Sequence, residues 1–299
     1  MEDAQFLREL FEIVKQNKSD AYETVIREKA SYPYLYHLSD IRQNLIDWLP
    51  ITGKMRVLEC NAECGALTGK LLAMAGEVVS VTEDETHAQI IRERYQDAGE
   101  RLIVVSTHGE ELSTGQENMG ASDLQDAKRF DAILIAGDTY RFRTRLMELG
   151  GLLRENGRLY VADANRLGLK YFAGCQEEYR GGYFTGIEGY DNEEPDLPEC
   201  EGTKTPEGGR CYSRTEYTQM LKSAGFDKMT FYYPYPDHKF PAAIYSDAWL
   251  PHKGELAENR RNFARDRVES FDEQKVYDSL LAEGLFGSFA NSFLIEARK

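Results

Sequence analysis

The stretch VLECNAECGALTGKLL, residues 57–72, runs from an apolar segment into an acid, then a short turn and the start of a helical pattern. Glu59, at the end of that apolar segment, could orient the polar end of a ligand. Equally, it could cap the following helix by charge–dipole attraction. A turn that cradles a nucleotide-like ligand usually carries several glycines, which supply left-handed backbone angles and let the ligand approach the main chain. This one keeps only Gly65. Asn61 is the mildest replacement, because asparagine enters the left-handed region more readily than other non-glycine residues. Glu63 is harsher. Its carboxylate opposite an anionic ligand group, at about 4 Å and an effective dielectric near 20, would cost on the order of 4 kcal/mol. That is roughly a thousandfold in affinity unless the side chain turns aside.

Other reactive side chains lie further along. Asn165 and Arg166 leave the end of a fifth apolar run, where open α/β sheets place their ligands. Arg166 could hold an anionic or hydroxylated substrate, or pair with the acidic segment that follows. His37, in YLYHLS, reads as a possible base or cofactor contact, or as a satisfied histidine packed beneath the first helices. His238, beside Asp237 in YPYPDHKFP, could remove a proton from a nucleophile, although the Tyr and Pro residues around it would also suit a packed lid. His87 falls on a charged helical pattern and reads as a surface residue.

The elements that must position these groups follow from periodicity. Residues 1–50 are helical in pattern, with Phe6, Leu7, Leu10, Phe11 and Val14 at helical spacing. Ile41, Leu45, Trp48 and Leu49 form a second apolar stripe. Asp20 with Glu23, and Ser39, look like N-terminal caps. From residue 51 to 165, the β-branched runs RVLEC, EVVSV, LIVVS, FDAILIA and RLYVADA alternate with helical patterns, including HAQIIRERYQ and RTRLMELGGLLREN, the latter closed by Asn156-Gly157. Such alternation predicts a parallel sheet covered on both faces. Residues 166–212 lose periodicity while gaining Gly, Tyr and acids, and read as a lid insertion. In residues 213–299, Ser213 and Glu216 open a helix as a capping box closed by Gly225. MTFYYPYP and NSFLIEAR are then strands six and seven, separated by an insertion with its own helix in SFDEQKVYDSLL.

Bulk composition narrows the function. The 299 residues are 41% hydrophobic and 29% charged, with a net charge of −15. A surface this acidic repels phosphate backbones, which disfavours nucleic acid as a partner. No apolar run is long enough to cross a bilayer, and the acidic, polar N-terminus is no signal peptide, which argues for the cytoplasm. The five cysteines lack paired spacing and read as free thiols, without a disulfide framework or a metal site.

Strand, acid, turn and helix, followed by a second strand ending in acids and then FDAILIAG, resemble a class I S-adenosylmethionine-dependent methyltransferase. YPYLYHLSDIR, NRLGLKYFAG, GIEGY, FYYPYPDHKFPAAIYSDAWLP and GLFGSFANSFLIEA bring the chain closer to bacterial methyltransferases associated with glycosyltransferases and cell-surface polysaccharide synthesis. The resemblance implies a Rossmann-like seven-stranded α/β fold with an antiparallel strand seven, and S-adenosylmethionine as cofactor. It further implies O-methylation of a sugar, glycan or small metabolite and a possible glycosyltransferase partner. The family's Glu-x-Gly-x-Gly-x-Gly turn maps onto Glu59, Asn61, Glu63 and Gly65, so that only the acid and the last glycine match. The ribose acid falls on Glu83 in one register and on Thr82 in the other. Glu110 after strand three and Gly137 after strand four complete the implied cofactor set. GDTY at 137–140 places an acid, Asp138, where the family carries small or apolar residues. The departures at Asn61, Glu63 and Asp138 leave a second reading, a degenerate methyltransferase-fold protein kept as a binding or assembly partner.

Overall fold

Residues that alternate along each central strand bury into two different cores, and this alternation fixes the layers. The computed structural model describes residues 4–107, 129–190, 209–257 and 270–299. Strand β1 (Arg56–Cys60) is buried throughout. Its Leu58 packs with Ile133, Leu159, Phe293 and Ile295 on one face of the sheet, while Val57 packs with Leu134, Tyr160 and Leu294 on the other. Period-two side-chain alternation therefore builds a three-layer sandwich from apolar strands.

The remaining strands are β2 (Glu77–Thr82), β3 (Leu102–Ser106), β4 (Phe130–Ala136), β5 (Leu153–Ala164), β6 (Lys228–Tyr235), β7 (Ala243–Ser246) and β8 (Ser292–Arg298). Their spatial order is β3-β2-β1-β4-β5-β8-β6-β7. Strands β1 to β5 pair in parallel, and β8 runs antiparallel to both β5 and β6. This is a Rossmann-like, doubly wound sheet, with NSFLIEAR as the inserted antiparallel strand. The sheet has eight strands where seven were expected. The addition is β7, which folds back on β6 with Ala243 opposite Tyr235.

Helices α1 (Ala4–Gln16), α2 (Tyr22–Lys29) and α3 (Tyr32–Leu38) precede the sheet. Leu7, Leu10 and Val14 of α1 pack with Cys64 and with Ile90 of α5 (Glu85–Arg94), which holds the N-terminal segment against the turn after β1. Between β1 and β2 lies α4 (Thr68–Met74). Ser39 caps the 3-10 turn Asp40–Leu45 by accepting from the Ile41 N–H, whereas Asp20 lies inside a 3-10 turn and caps nothing. The stripe Ile41-Leu45-Trp48-Leu49 is split: Leu45 and Leu49 are buried, but Ile41 and Trp48 are exposed, because the chain there turns three residues at a time.

The expected helix over RTRLMELGGLLREN is also divided. A 3-10 turn covers Thr139–Arg145, α6 spans only Leu146–Leu152, and β5 begins at Leu153. Asn156 does take a left-handed φ of 64°, but within β5, where the pairing slips between Phe130–Leu153 and Ala132–Arg158. Burial of Leu153 opposite Phe130 overrides the helical pattern.

The lid segment contributes α7 (Leu169–Phe172) and α8 (Thr185–Glu188). Helix α9 (Arg214–Ser223) starts at the expected capping box, formed by Ser213 and Glu216. Helices α10 (Glu273–Ala282) and α11 (Phe286–Phe289) precede β8. Among the described residues no helix is long and apolar enough to cross a membrane.

Candidate active site

The carboxyl ends of β1, β4 and β5 meet at the point where strand order reverses, the usual ligand position in an open α/β sheet. A cavity of about 360 Å³ lies there. Glu63 reaches it from the turn after β1, Gly137 and Asp138 from the end of β4, and Asp163 from β5. Lys170, Glu178 and Tyr179 enter from the lid, His238 and Lys239 from beyond β6, and Tyr32 and Tyr36 from α3.

The turn after β1 has the backbone of a glycine turn despite its side chains. Asn61, Glu63 and Gly65 all sit at left-handed φ, at 57°, 48° and 80°. Such angles cost about 1–2 kcal/mol in most non-glycine residues and persist where the surroundings over-determine them. Here they do. The Ala62 N–H donates to the Val81 carbonyl at 2.8 Å. The Glu63 carbonyl accepts from the Thr82 hydroxyl at 3.1 Å, Cys64 O from Arg94 at 2.8 Å and Gly65 O from the Tyr95 hydroxyl at 2.7 Å.

Glu63 turns away from the main-chain cradle. Its carboxylate accepts from the Tyr36 hydroxyl at 3.3 Å and meets the buried Arg42 guanidinium at 3.5 Å. Beneath the turn, Glu59 is buried and accepts from the Thr68 hydroxyl at 2.6 Å and the Ser80 hydroxyl at 2.7 Å. Burial pushes its carboxyl up to about 7, against those two hydroxyls and the Arg42 charge.

After β4, Asp138 also takes a left-handed φ, 50°, and burial raises its carboxyl to about 6 against the nearby Arg141. Arg141 stands 3.1 Å from Glu83 and 3.5 Å from Asp138, linking the ends of β2 and β4. The Asp138 N–H donates to the Tyr179 hydroxyl at 3.0 Å, and that hydroxyl donates to the buried Asp163 at 3.1 Å. The lid is thereby tied to the sheet. A second tie is ionic: Glu178 accepts from Lys170 at 2.6 Å and from Lys239, with Asp237 3.6 Å from Lys170. Burial alone would raise the Glu178 carboxyl, but the two lysines hold it well below the carboxylate range. His238 is buried beside these charges, and its Nδ1 has no hydrogen-bond partner among the described residues. Burial drives its pKa down to about 3, so the imidazole is neutral.

Of the residues singled out in the sequence, Glu63, Gly137, Asp138 and His238 line the cavity. Asn61 is beside it: a Cβ on Gly137 would lie 3.9 Å from Asn61 Nδ2, which is buried and has no hydrogen-bond partner among the described residues. Thr82 is buried under the turn and Glu83 is bound to Arg141. Gly65 is needed for packing as well as for its φ, since a Cβ there would meet Ile91 at 3.1 Å and Tyr95 at 3.2 Å.

His37, Asn165 and Arg166 stand apart from the cavity. The His37 ring packs edge-on to Tyr36 and beside Phe6, under the first helices. Asn165 donates to the carbonyls of Ser288 and Ala290, clasping β5 to the segment before β8. Arg166 pairs with Glu216 at 2.6 Å. Glu110, like Cys200 and the acidic run Glu193–Glu201, lies outside the described residues. His87 is half-buried, its Nδ1 3.0 Å from Asp84, which corrects its reading as a surface residue.

The residues that sequence reasoning passed over are Asp163, Lys170, Glu178, Tyr179 and Lys239. Asp163 carried a usable signal, an acid at the end of an apolar strand. Lys170 and Lys239 looked like any surface lysine, because only tertiary structure brings them to one carboxylate. Among the described residues no cluster of His, Cys, Asp and Glu is arranged to hold a metal ion.

No known family profile and no curated protein matches this sequence. Among solved structures, distant similarities are found. An S-adenosylmethionine-dependent methyltransferase of Thermotoga maritima is 15% identical with a TM-score of 0.47, covering 93% of this chain and 98% of its own. A precorrin-6y C5,15-methyltransferase of Geobacter metallireducens is 9% identical at a TM-score of 0.42, covering 90% and 94%. The cyclase SpnF is 14% identical at 0.46, covering 88% and 82%.

Proposed function

We propose that this protein is an S-adenosylmethionine-dependent methyltransferase that methylates an oxygen of a sugar, glycan or other hydroxylated small molecule. The observation that carries the reading is the backbone after β1: left-handed angles at the three alternate positions Asn61, Glu63 and Gly65, opening beside a cavity at the switch point. The residues present fit the aminoacyl end of such a cofactor. Asn61 offers next to Gly137 a buried amide nitrogen with no hydrogen-bond partner among the described residues, and the Glu63 carboxylate is already balanced by Arg42. At the ribose end, Thr82 or Glu83 is the candidate and Glu83 must exchange Arg141 for the sugar; the resemblance adds Glu110.

When bound, the cofactor supplies a methyl carbon already activated by its sulfonium, which leaves the protein to align the nucleophile and remove one proton. His238 is the candidate acceptor of that proton because it is buried on the cavity wall; a pKa lowered to about 3 makes it a weak base, so substrate binding has to raise it for the transfer. The polar walls, with Tyr32, Tyr36 and Tyr179 beside carboxylates, suit a hydroxyl-rich substrate. A cytoplasmic location and a glycosyltransferase partner in polysaccharide synthesis follow from the resemblance and belong to the same proposal. Isothermal titration with S-adenosylmethionine and S-adenosylhomocysteine tests it: saturable heat is expected, and none at millimolar ligand would remove it.

The Glu83–Arg141 bridge favours a second reading, a methyltransferase fold kept for binding or assembly. Glycine at both 61 and 63 separates the two. Cofactor binding seen only in the double variant would make the natural chain a non-enzyme.

A further inference from the structure

A second cleft, of about 420 Å³, shares no lining residue with the cavity at the sheet and lies between the 3-10 turn Thr139–Arg145, α6 and α9. Two arginines meet one carboxylate beside it, and a third arginine lines its rim. Glu216 already accepts from Arg166 at 2.6 Å, from the Ser213 N–H at 2.7 Å and from Arg210 at 2.9 Å. The Arg210 guanidinium is clamped between Tyr190 and Tyr212, 4.8 and 5.2 Å from their ring centres, and its buried Nε has no hydrogen-bond partner among the described residues. Arg143, exposed at the rim, bonds the Tyr212 hydroxyl and meets no carboxylate among the described residues. In a chain of net charge −15 this is a local excess of positive charge. Met147 and Met220 supply an apolar wall beside it.

We infer that this cleft binds a small organic phosphate. Two guanidiniums from separate segments, with the hydroxyls of Tyr212 and Thr144, offer more donors than the two oxygens of a carboxylate accept, and their planar forks match phosphate geometry. The site does not depend on the methyl-transfer reading. Titration of the whole chain with inorganic phosphate at low ionic strength, followed by calorimetry or amide chemical shifts, tests it. One saturable site is expected, weakened at least tenfold in Arg143→Glu and less in Arg143→Lys. Because Arg143 is exposed, both variants should melt like the parent. Arg143→Gln replaces the glutamate variant if that one fails to fold. Absence of saturation, or equal affinity in the parent and the charge-reversed variant, would overturn the inference.

Discussion

The Arg42 guanidinium lies 3.6 Å from the centre of the Tyr36 ring and meets the Glu63 carboxylate at 3.5 Å, so the cation that balances Glu63 is set by α3 and the 3-10 turn after it. The like-charge clash expected of Glu63 is therefore displaced. Its backbone occupies the glycine position while its charge is drawn sideways to Arg42.

Replacing Asn61 and Glu63 by glycine removes two strained left-handed residues. Asn61→Gly alone should stabilise the fold by a few tenths to about 1 kcal/mol in urea denaturation, because asparagine tolerates this region better than most residues. Because the Glu63 charge is already drawn to Arg42, the double variant should bind S-adenosylhomocysteine within a few-fold of the parent by calorimetry, and a gain of tenfold or more would favour the non-enzyme reading. Unchanged affinity would show that the turn is already competent.

Arg42→Ala should cost about 1–3 kcal/mol, since Arg42 is buried and gives up both its stacking on Tyr36 and its ion pair. Glu63 is partly solvated, so its share is smaller. A double-mutant cycle with Glu63→Gln should return a coupling of about 1 kcal/mol. A coupling near zero would mean that the pair contributes only through packing.

Glu59 gives a pH dependence of defined sign. Its carboxyl is raised from 4.5 to about 7 in the folded chain, so the native state holds a proton that the unfolded state releases. The stability this confers is complete below pH 4.5 and is lost as pH rises to about 7, a change on the order of 3 kcal/mol at one pK unit per 1.4 kcal/mol. Glu59→Gln should lose that slope, so parent and variant melting curves should diverge above pH 5. Parallel curves would place the charge elsewhere.

His238 has the opposite sign. Its pKa falls from 6.5 to about 3 on folding, so the stability it confers is full above 6.5 and is lost as pH drops through that window. His238→Asn should flatten acid destabilisation there. If the proton-transfer proposal holds, the variant lowers kcat by about 10²–10⁴ while leaving cofactor affinity unchanged. Full activity in the variant would exclude this residue as the base.

Arg141→Ala frees Glu83 from its bridge. S-adenosylhomocysteine should bind several-fold more tightly, because Glu83 no longer has to exchange a partner, and the melting temperature should fall through the Asp138 carboxyl, which loses its nearby cation, more than through the half-exposed Glu83. Weaker binding would mean that Arg141 itself touches the ligand.

The sheet was legible because its signal is local and repeated. Apolar runs of strand length alternate with helical patterns, and the central strands bury both faces over most of their length, so RVLEC, FDAILIA and RLYVADA announced themselves. The capping box at Ser213 and Glu216 was equally readable. Asn156-Gly157 misled because a left-handed asparagine serves a strand irregularity as well as it ends a helix.

The amino-acid order by itself determined the strand–helix alternation, the place of the turn after β1 and the presence of an acid and a glycine within it, because these depend on neighbours a few residues apart. Only the tertiary structure decided which charges meet. Lys239 is far along the chain from Lys170 and Glu178, as Arg141 is from Glu83 and Arg42 from Glu63, yet each set closes to ion-pair distance. Electrostatic attraction carries no periodicity, so such partners become visible only when the sheet and its loops bring them together.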